Sequence, residues 1–133
     1  MALERTAVNP VSWSQPLGFN QAEVVSGHTK TVYVSGQTAT DDEGKPLHEG
    51  DFAAQLGTAV DNLENVLKAA GLTLANLVRL NVYTTDVDAL FPHYGVLAAR
   101  LGAAQVAPTT TMLGVTRLAI PGQVVELEGT AVA

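Results

Sequence analysis

The chain has 133 residues and a net charge of −6, and 47% of its residues are hydrophobic while only 15% are charged. This length suits a single domain, and because soluble domains usually carry ~25% charged residues, the low share predicts that other copies of the chain cover part of its surface. The seven Lys and Arg residues are scattered, which excludes the cation clusters that nucleic acid or an anionic membrane would need. The chain has no cysteine, which excludes disulfide and thiolate chemistry and favours a cytoplasmic protein.

The first half of the chain predicts two strands and one helix. Residues 1–17 are expected to be irregular, since Pro10 and Pro16 interrupt regular structure. Strand patterns at 22–26 and 31–35, with a turn at 27–30 between them, predict a β-hairpin. After a polar loop at 36–50, Asp51 can cap a helix over residues 52–70, and Gly71 is placed to end it.

The second half predicts an alternating strand at 77–84, a helix at 89–101, and strands at 110–117 and 123–131. The resulting order, ββαβαββ, is that of an α+β domain with two helices on one face of the sheet. Nothing in the chain is left to cover the other face, which favours self-association over a solvated surface. Alternation assigns to that open face Arg79, Asn81, Tyr83, Thr110, Met112, Glu126 and Glu128.

Glu126 and Glu128 carry the clearest chemical signal, because alternation places both on one face of the last strand. Two neighbouring carboxylates repel, so one of them can have a pKa high enough for acid–base work. The residues leave open whether the pair instead faces water or pairs with Arg79 or Arg117 across an interface.

Metal and cofactor chemistry are not expected from the sequence. The three histidines lack ligand spacing, and the acidic run at 41–43 lacks the spacing of a calcium loop. No phosphate-binding loop or dinucleotide motif is present in the sequence.

Several segments together resemble the Rid (YjgF-like) family of small enamine/imine deaminases, earlier labelled perchloric-acid-soluble endoribonucleases. They are VYVSGQ at 32–37, EGD at 49–51 with Gln55, LENVLKAAG at 63–71, VYTTD at 82–86, AP at 107–108 and VELEGTAV at 125–132. The resemblance covers residues 18–133. It implies a chorismate-mutase-like fold, assembled as a homotrimer whose sheets line a central barrel, with a small-molecule cleft between neighbouring subunits.

The deaminase branch of this family implies a particular set of site residues. Its members hydrolyse 2-imino acids to 2-oxo acids and ammonia, with an Arg that holds the substrate carboxylate and a Glu that positions the attacking water. The Glu matches Glu126, and the Ser-Gly that ends the second strand matches Ser35 and Gly36. The Arg position matches Thr110, within PTTT at 108–111. A family Tyr matches Phe19, and a helix Asn matches Tyr94.

The departure at Thr110 predicts a less cationic pocket, since losing a bidentate contact to a carboxylate costs on the order of 2–5 kcal/mol. Arg79 is the candidate replacement cation. We therefore expect a homotrimer that binds, and as an enzyme hydrolyses, a small neutral or differently charged enamine, imine or carbonyl metabolite, with Glu126 as catalytic base. The expected ligand-binding residues are Phe19, Ser35, Gly36, Arg79, Tyr94, Thr110, Thr111 and Met112.

Two other functions stay open. One is a trimer that binds or senses a metabolite without catalysis. The other is an endoribonuclease, which the acidic charge and the lack of a basic stripe disfavour.

Overall fold

The computed structural model describes residues 2–133, within which six strands form two sheets. The smaller sheet pairs β1 (Glu4–Val8) with β2 (Ala22–Ser26) antiparallel. The larger sheet has the order β3-β6-β4-β5, and its strands are β3 (Thr31–Gln37), β4 (Leu77–Thr84), β5 (Thr109–Gly114) and β6 (Val125–Val132). Strand β6 runs antiparallel to β3 and β4, whereas β4 and β5 are parallel.

One long helix, α1 (Phe52–Ala69), packs on β3 and β6. The prediction for this helix is confirmed at both ends. The Asp51 side chain accepts a hydrogen bond of 3.0 Å from the Ala54 N–H, and Gly71 adopts the left-handed conformation with φ of 81°. The helix buries an apolar stripe against the sheet, which consists of Leu56, Ala59, Val60, Leu63 and Leu67.

The prediction of one continuous helix at 89–101 is wrong. It is a short α2 (Val87–Leu90), a 3-10 turn at Phe91–His93 and then α3 (Gly95–Ala103). Pro92 lies in that turn and has no N–H to donate, so a continuous hydrogen-bond ladder cannot pass through it. The break leaves Phe91 and Tyr94 beside the edge of the sheet.

The predicted hairpin is also wrong, because β2 pairs with β1 and β3 pairs with β6. Strand β1 lies within the segment expected to be irregular. Arg5 of β1 makes contacts distant in sequence that join this strand to β2 and to the residues around the start of β4. Its guanidinium forms an ion pair with Glu23 and donates to the carbonyls of Ala75 (2.6 Å) and Leu77 (2.7 Å). A contact across some 70 residues of sequence has no local signature.

The faces of the larger sheet agree with the prediction in β6 but not in β5. Val125 and Leu127 are buried, while Glu126 and Glu128 lie on the open face. The pairing of β4 with β5, however, sets Thr110 beside core residue Leu80. Thr110 therefore faces the helices, as does Met112 two residues on, and their assignment to the open face is wrong. Strand β5 ends at Gly114 and β6 starts at Val125, so both are shorter than predicted.

No helix within residues 2–133 is both long and apolar enough to cross a membrane.

Candidate functional site

Glu126 lies on the open face of the sheet, directly against the backbone of Gly36. A Cβ added at Gly36 would lie 1.8 Å from Glu126 Oε1, so only glycine leaves room for this carboxyl group. The register between β3 and β6 shifts between Val34 and Gln37, which is the mark of a β-bulge containing Ser35 and Gly36. The Ser-Gly pair and the catalytic candidate are thus parts of one cluster.

Glu128, two residues further along β6, is held by two donors from β4. The side-chain amide of Asn81 donates to Glu128 Oε1 at 3.0 Å, and the Tyr83 hydroxyl donates to the same oxygen. This hydrogen bond to Glu128 is the main reason that the pKa of Tyr83 is raised.

Glu126 differs from its neighbour because no described residue donates a side-chain hydrogen bond to it. Burial first, and the charge of Glu128 second, raise the pKa of Glu126 above its ordinary value. One carboxylate is therefore anchored while the other has a raised proton affinity. This is the division of roles that two adjacent carboxylates allow, and Glu126 is the member suited to proton transfer.

On the helix side of the sheet, a pocket of about 140 Å³ opens beside β5. We call it the aromatic pocket, and it is lined by Leu17, Phe19, Phe91, Tyr94, Thr110 and Met112. The rings of Phe91 and Tyr94 stack with centroids 6.3 Å apart. Trp13 meets Phe19 edge-on at 6.0 Å, which supports the wall of the pocket from outside.

The predicted ligand-binding residues therefore divide into three groups. Phe19, Tyr94, Thr110 and Met112 meet in the aromatic pocket, and Ser35 and Gly36 lie with Glu126. Arg79 and Thr111 form a third group on the open face, where the guanidinium donates to the Thr111 hydroxyl at 2.7 Å. They do not join the aromatic pocket of their own chain, so within one chain Arg79 lies apart from Thr110.

Glu126 and the aromatic pocket do not meet within one chain. Strand β4 lies between β6 and β5. With ~4.8 Å between neighbouring strands, Glu126 and Thr110 are about 10 Å apart laterally and on opposite faces of the sheet. Within one chain, the Glu126 carboxyl and the aromatic pocket are thus two separate features.

Sequence reasoning missed Leu17 and Phe91 in the pocket and the bonding of Asn81 and Tyr83 to Glu128. Phe91 falls within the helix predicted at 89–101, yet it is 57% exposed beside the break in that helix. Its neighbour Pro92 was the signal that the helix breaks there. The partners of Glu128 depend on the register of β4 with β6, which cannot be read from the sequence alone.

Within residues 2–133, no group of three or more His, Asp or Glu side chains is placed to hold a metal ion.

The fold places the chain among mixed α+β proteins with helices on one face of a sheet, and comparison with known proteins narrows this class to one family. The sequence profile described as Endoribonuclease L-PSP matches residues 14–133, so the chain belongs to that family. This confirms the Rid (YjgF-like) resemblance.

Three relatives show how far the similarity extends. RutC family protein YjgH of Escherichia coli is 31% identical over 117 residues, 88% of each chain. The rat 2-iminobutanoate/2-iminopropanoate deaminase is 36% identical over 70 residues, which is 53% of this chain and 49% of the relative. The crystal structure of YyfB, a Rid family protein of unknown function from Yersinia pestis, superposes with a TM-score of 0.87 at 30% identity, covering 97% and 98% of the two chains.

Proposed function

We propose that the protein binds a small enamine, imine or carbonyl metabolite between copies of the chain and hydrolyses the C=N bond of the imine, without being a standard 2-imino acid deaminase. The observation that carries this proposal is the Glu126 carboxyl, held against Gly36 with a raised pKa. The similarity to an iminobutanoate/iminopropanoate deaminase supports the reaction class.

Hydrolysis of an imine requires a positioned base and a water molecule. Glu126 accepts a proton from water as the water oxygen bonds to the imine carbon. Glu126 passes this proton to the imine nitrogen, which gives a carbinolamine. The hydroxyl proton of the carbinolamine then moves to the nitrogen in the same way, the C–N bond breaks, and the electron pair leaves with ammonia while the oxygen becomes a carbonyl. The sum is one imine and one water converted to one carbonyl compound and one ammonia, so no cofactor is required.

A second copy is needed to complete such a site, because Glu126 and the aromatic pocket lie on opposite faces of the sheet in one chain. We propose a homotrimer in which open faces line a central barrel and Glu126 of one subunit approaches the aromatic pocket of the next. The open face supports this, since it exposes 80% of Tyr33 and 50% of Leu113.

A nuclease is the less favoured alternative, although the family description names one. The chain carries a net charge of −6, so the phosphate backbone of RNA would be repelled by it. The same lack of basic clusters supports a protein that binds neither nucleic acid nor a membrane surface, and the absence of cysteine supports a cytoplasmic location.

The test is hydrolysis of a panel of imines, generated in situ from several amines and carbonyl compounds, by the wild-type protein and by Glu126→Gln. We expect turnover with at least one imine and its loss, by about a hundredfold or more, in the variant. Glu43→Gln, in an exposed loop, is the matched control and should keep full activity. Binding without turnover on any imine would favour the non-catalytic trimer, and RNA cleavage that persists through purification would favour the nuclease.

A further inference from the structure

We infer that the aromatic pocket takes an uncharged, flat molecule with an apolar body and one carbonyl or imine group, and that it rejects the matching carboxylate. The inference rests on the proposed function for the use of this pocket as the place where substrate binds. It adds the class of substrate, which follows from the residues that line the pocket.

The size and walls of the pocket suit one small ring. Its volume is about 140 Å³, and an apolar cavity of roughly 150 Å³ is known to hold benzene. Four of its six lining side chains, those of Leu17, Phe19, Phe91 and Met112, are apolar. Aromatic rings favour edge-on and offset contacts with a planar ligand, and Met contributes a polarisable surface.

Two hydroxyl groups give the pocket its polar character. The Tyr94 hydroxyl has no hydrogen-bond partner among residues 2–133, and burial raises its pKa, so it stays a neutral donor near neutral pH. The Thr110 hydroxyl donates to the Pro108 carbonyl at 2.8 Å, which leaves its oxygen free to accept. One donor and one acceptor match a C=O or C=N group with an adjacent N–H.

A carboxylate, in contrast, is expected to bind weakly in this pocket. None of the six described lining residues is charged, so an anion that gave up its hydration would find no cation in exchange. Arg79 of the same chain, on the adjacent strand β4, faces the other side of the sheet and donates to Thr111. The net charge of −6 adds a further repulsion.

Benzamide and benzoate test the inference directly, because they share a shape and differ in charge. In an NMR titration of the assembled wild-type protein at neutral pH, we expect benzamide to shift the amide signals of Thr110 and Met112. We also expect it to bind about tenfold or more tightly than benzoate, a difference of ~1.4 kcal/mol. Equal or tighter binding of benzoate would overturn the inference.

Two substitutions sharpen the test. Thr110→Arg should reverse the preference towards benzoate, whereas Asn65→Arg, which adds the same charge at an exposed position of α1, should leave it unchanged. Tyr94→Phe should weaken benzamide several-fold while leaving toluene binding unchanged, since only the hydroxyl is lost. An unaltered benzamide affinity in Tyr94→Phe would show that the Tyr94 hydroxyl is not the donor to the ligand.

Failure of this inference and failure of the proposed function give different results. If imines are hydrolysed through Glu126 but benzoate binds as well as benzamide, the function stands and the substrate class is wrong. If benzamide is preferred and no imine is turned over, the pocket is assigned correctly and the protein is a binder.

Discussion

At the scale of single residues, the contact between Gly36 and Glu126 is possible because glycine has no Cβ. The Ser35–Gly36 bulge brings the backbone of β3 under the carboxyl group, and any Cβ at Gly36 would occupy the position of Glu126 Oε1. The glycine therefore determines where the proposed base lies.

Gly36→Ala is expected to displace the Glu126 carboxyl and to reduce imine turnover by at least tenfold, with a smaller effect on stability. Gly102→Ala is the matched control, since a Cβ there meets nothing within 4 Å and lies within α3. The control should keep its activity and gain about 0.5–1 kcal/mol of unfolding free energy, because alanine favours the helix. Kinetics and thermal unfolding of both variants measure this, and full activity in Gly36→Ala would contradict the role given to the contact.

Glu126 should also make stability depend on pH. Its pKa in the folded state lies above its unfolded value, so the carboxyl favours folding in acid, and this contribution is lost as pH rises through the folded-state pKa. Glu126→Gln is neutral throughout. We expect the variant to melt at a higher temperature than the wild type at neutral pH, with the gap closing as pH falls below the ordinary value of 4.5. A pH-independent difference in melting temperature would contradict the raised pKa.

Residue positions were predictable from sequence where alternation alone decides them. Glu126 and Glu128 share a face because they stand two apart on one strand. The faces of Thr110 and Met112 were predicted wrongly, because they depend on how β5 is set against β4, and a shift by one residue exchanges the two faces.

At the scale of elements, the small β1–β2 sheet is attached to the rest of the molecule by two residues: Arg5 of β1, and Asn20 just before β2, whose side-chain amide and backbone N–H both donate to the Ala107 carbonyl. Arg5 links β1 to Glu23 of β2 and to the carbonyls of Ala75 and Leu77, at the start of β4. Local patterns predicted α1 and the bounds of β4 correctly, since caps and periodicity are local. The pairing of β1 with β2 is a long-range contact, so no local pattern revealed it.

Arg5→Ala should loosen the β1–β2 sheet, which keeps its Asn20–Ala107 bonds, while leaving the larger sheet intact. Removing the guanidinium leaves the Glu23 carboxylate and two carbonyls unpaired, at a cost of about 1–3 kcal/mol. Hydrogen exchange should then speed up in β1 and β2 and stay slow in β4 and β6. Arg117→Ala, at an exposed loop residue with no ion pair in the described part of the chain, should change neither. Equal protection of β1 in both variants would contradict the account.

At the scale of the whole molecule, the larger sheet is covered by helices on one face and uncovered on the other. The uncovered face holds Glu126 and Glu128 beside the exposed rings and apolar groups of Tyr33 and Leu113. The Glu126 carboxyl and the aromatic pocket lie on opposite faces, so the proposed chemistry requires a contact between copies. The sequence indicated the uncovered face through its count of helices, whereas the division of the site followed only from the strand order.

Sedimentation equilibrium of the purified protein at micromolar concentration tests this most directly. The account predicts a species of about 42 kDa, three times the 13.9 kDa of one chain. A stable, folded species of 13.9 kDa at that concentration would contradict it, because Glu126 would then have no pocket within reach.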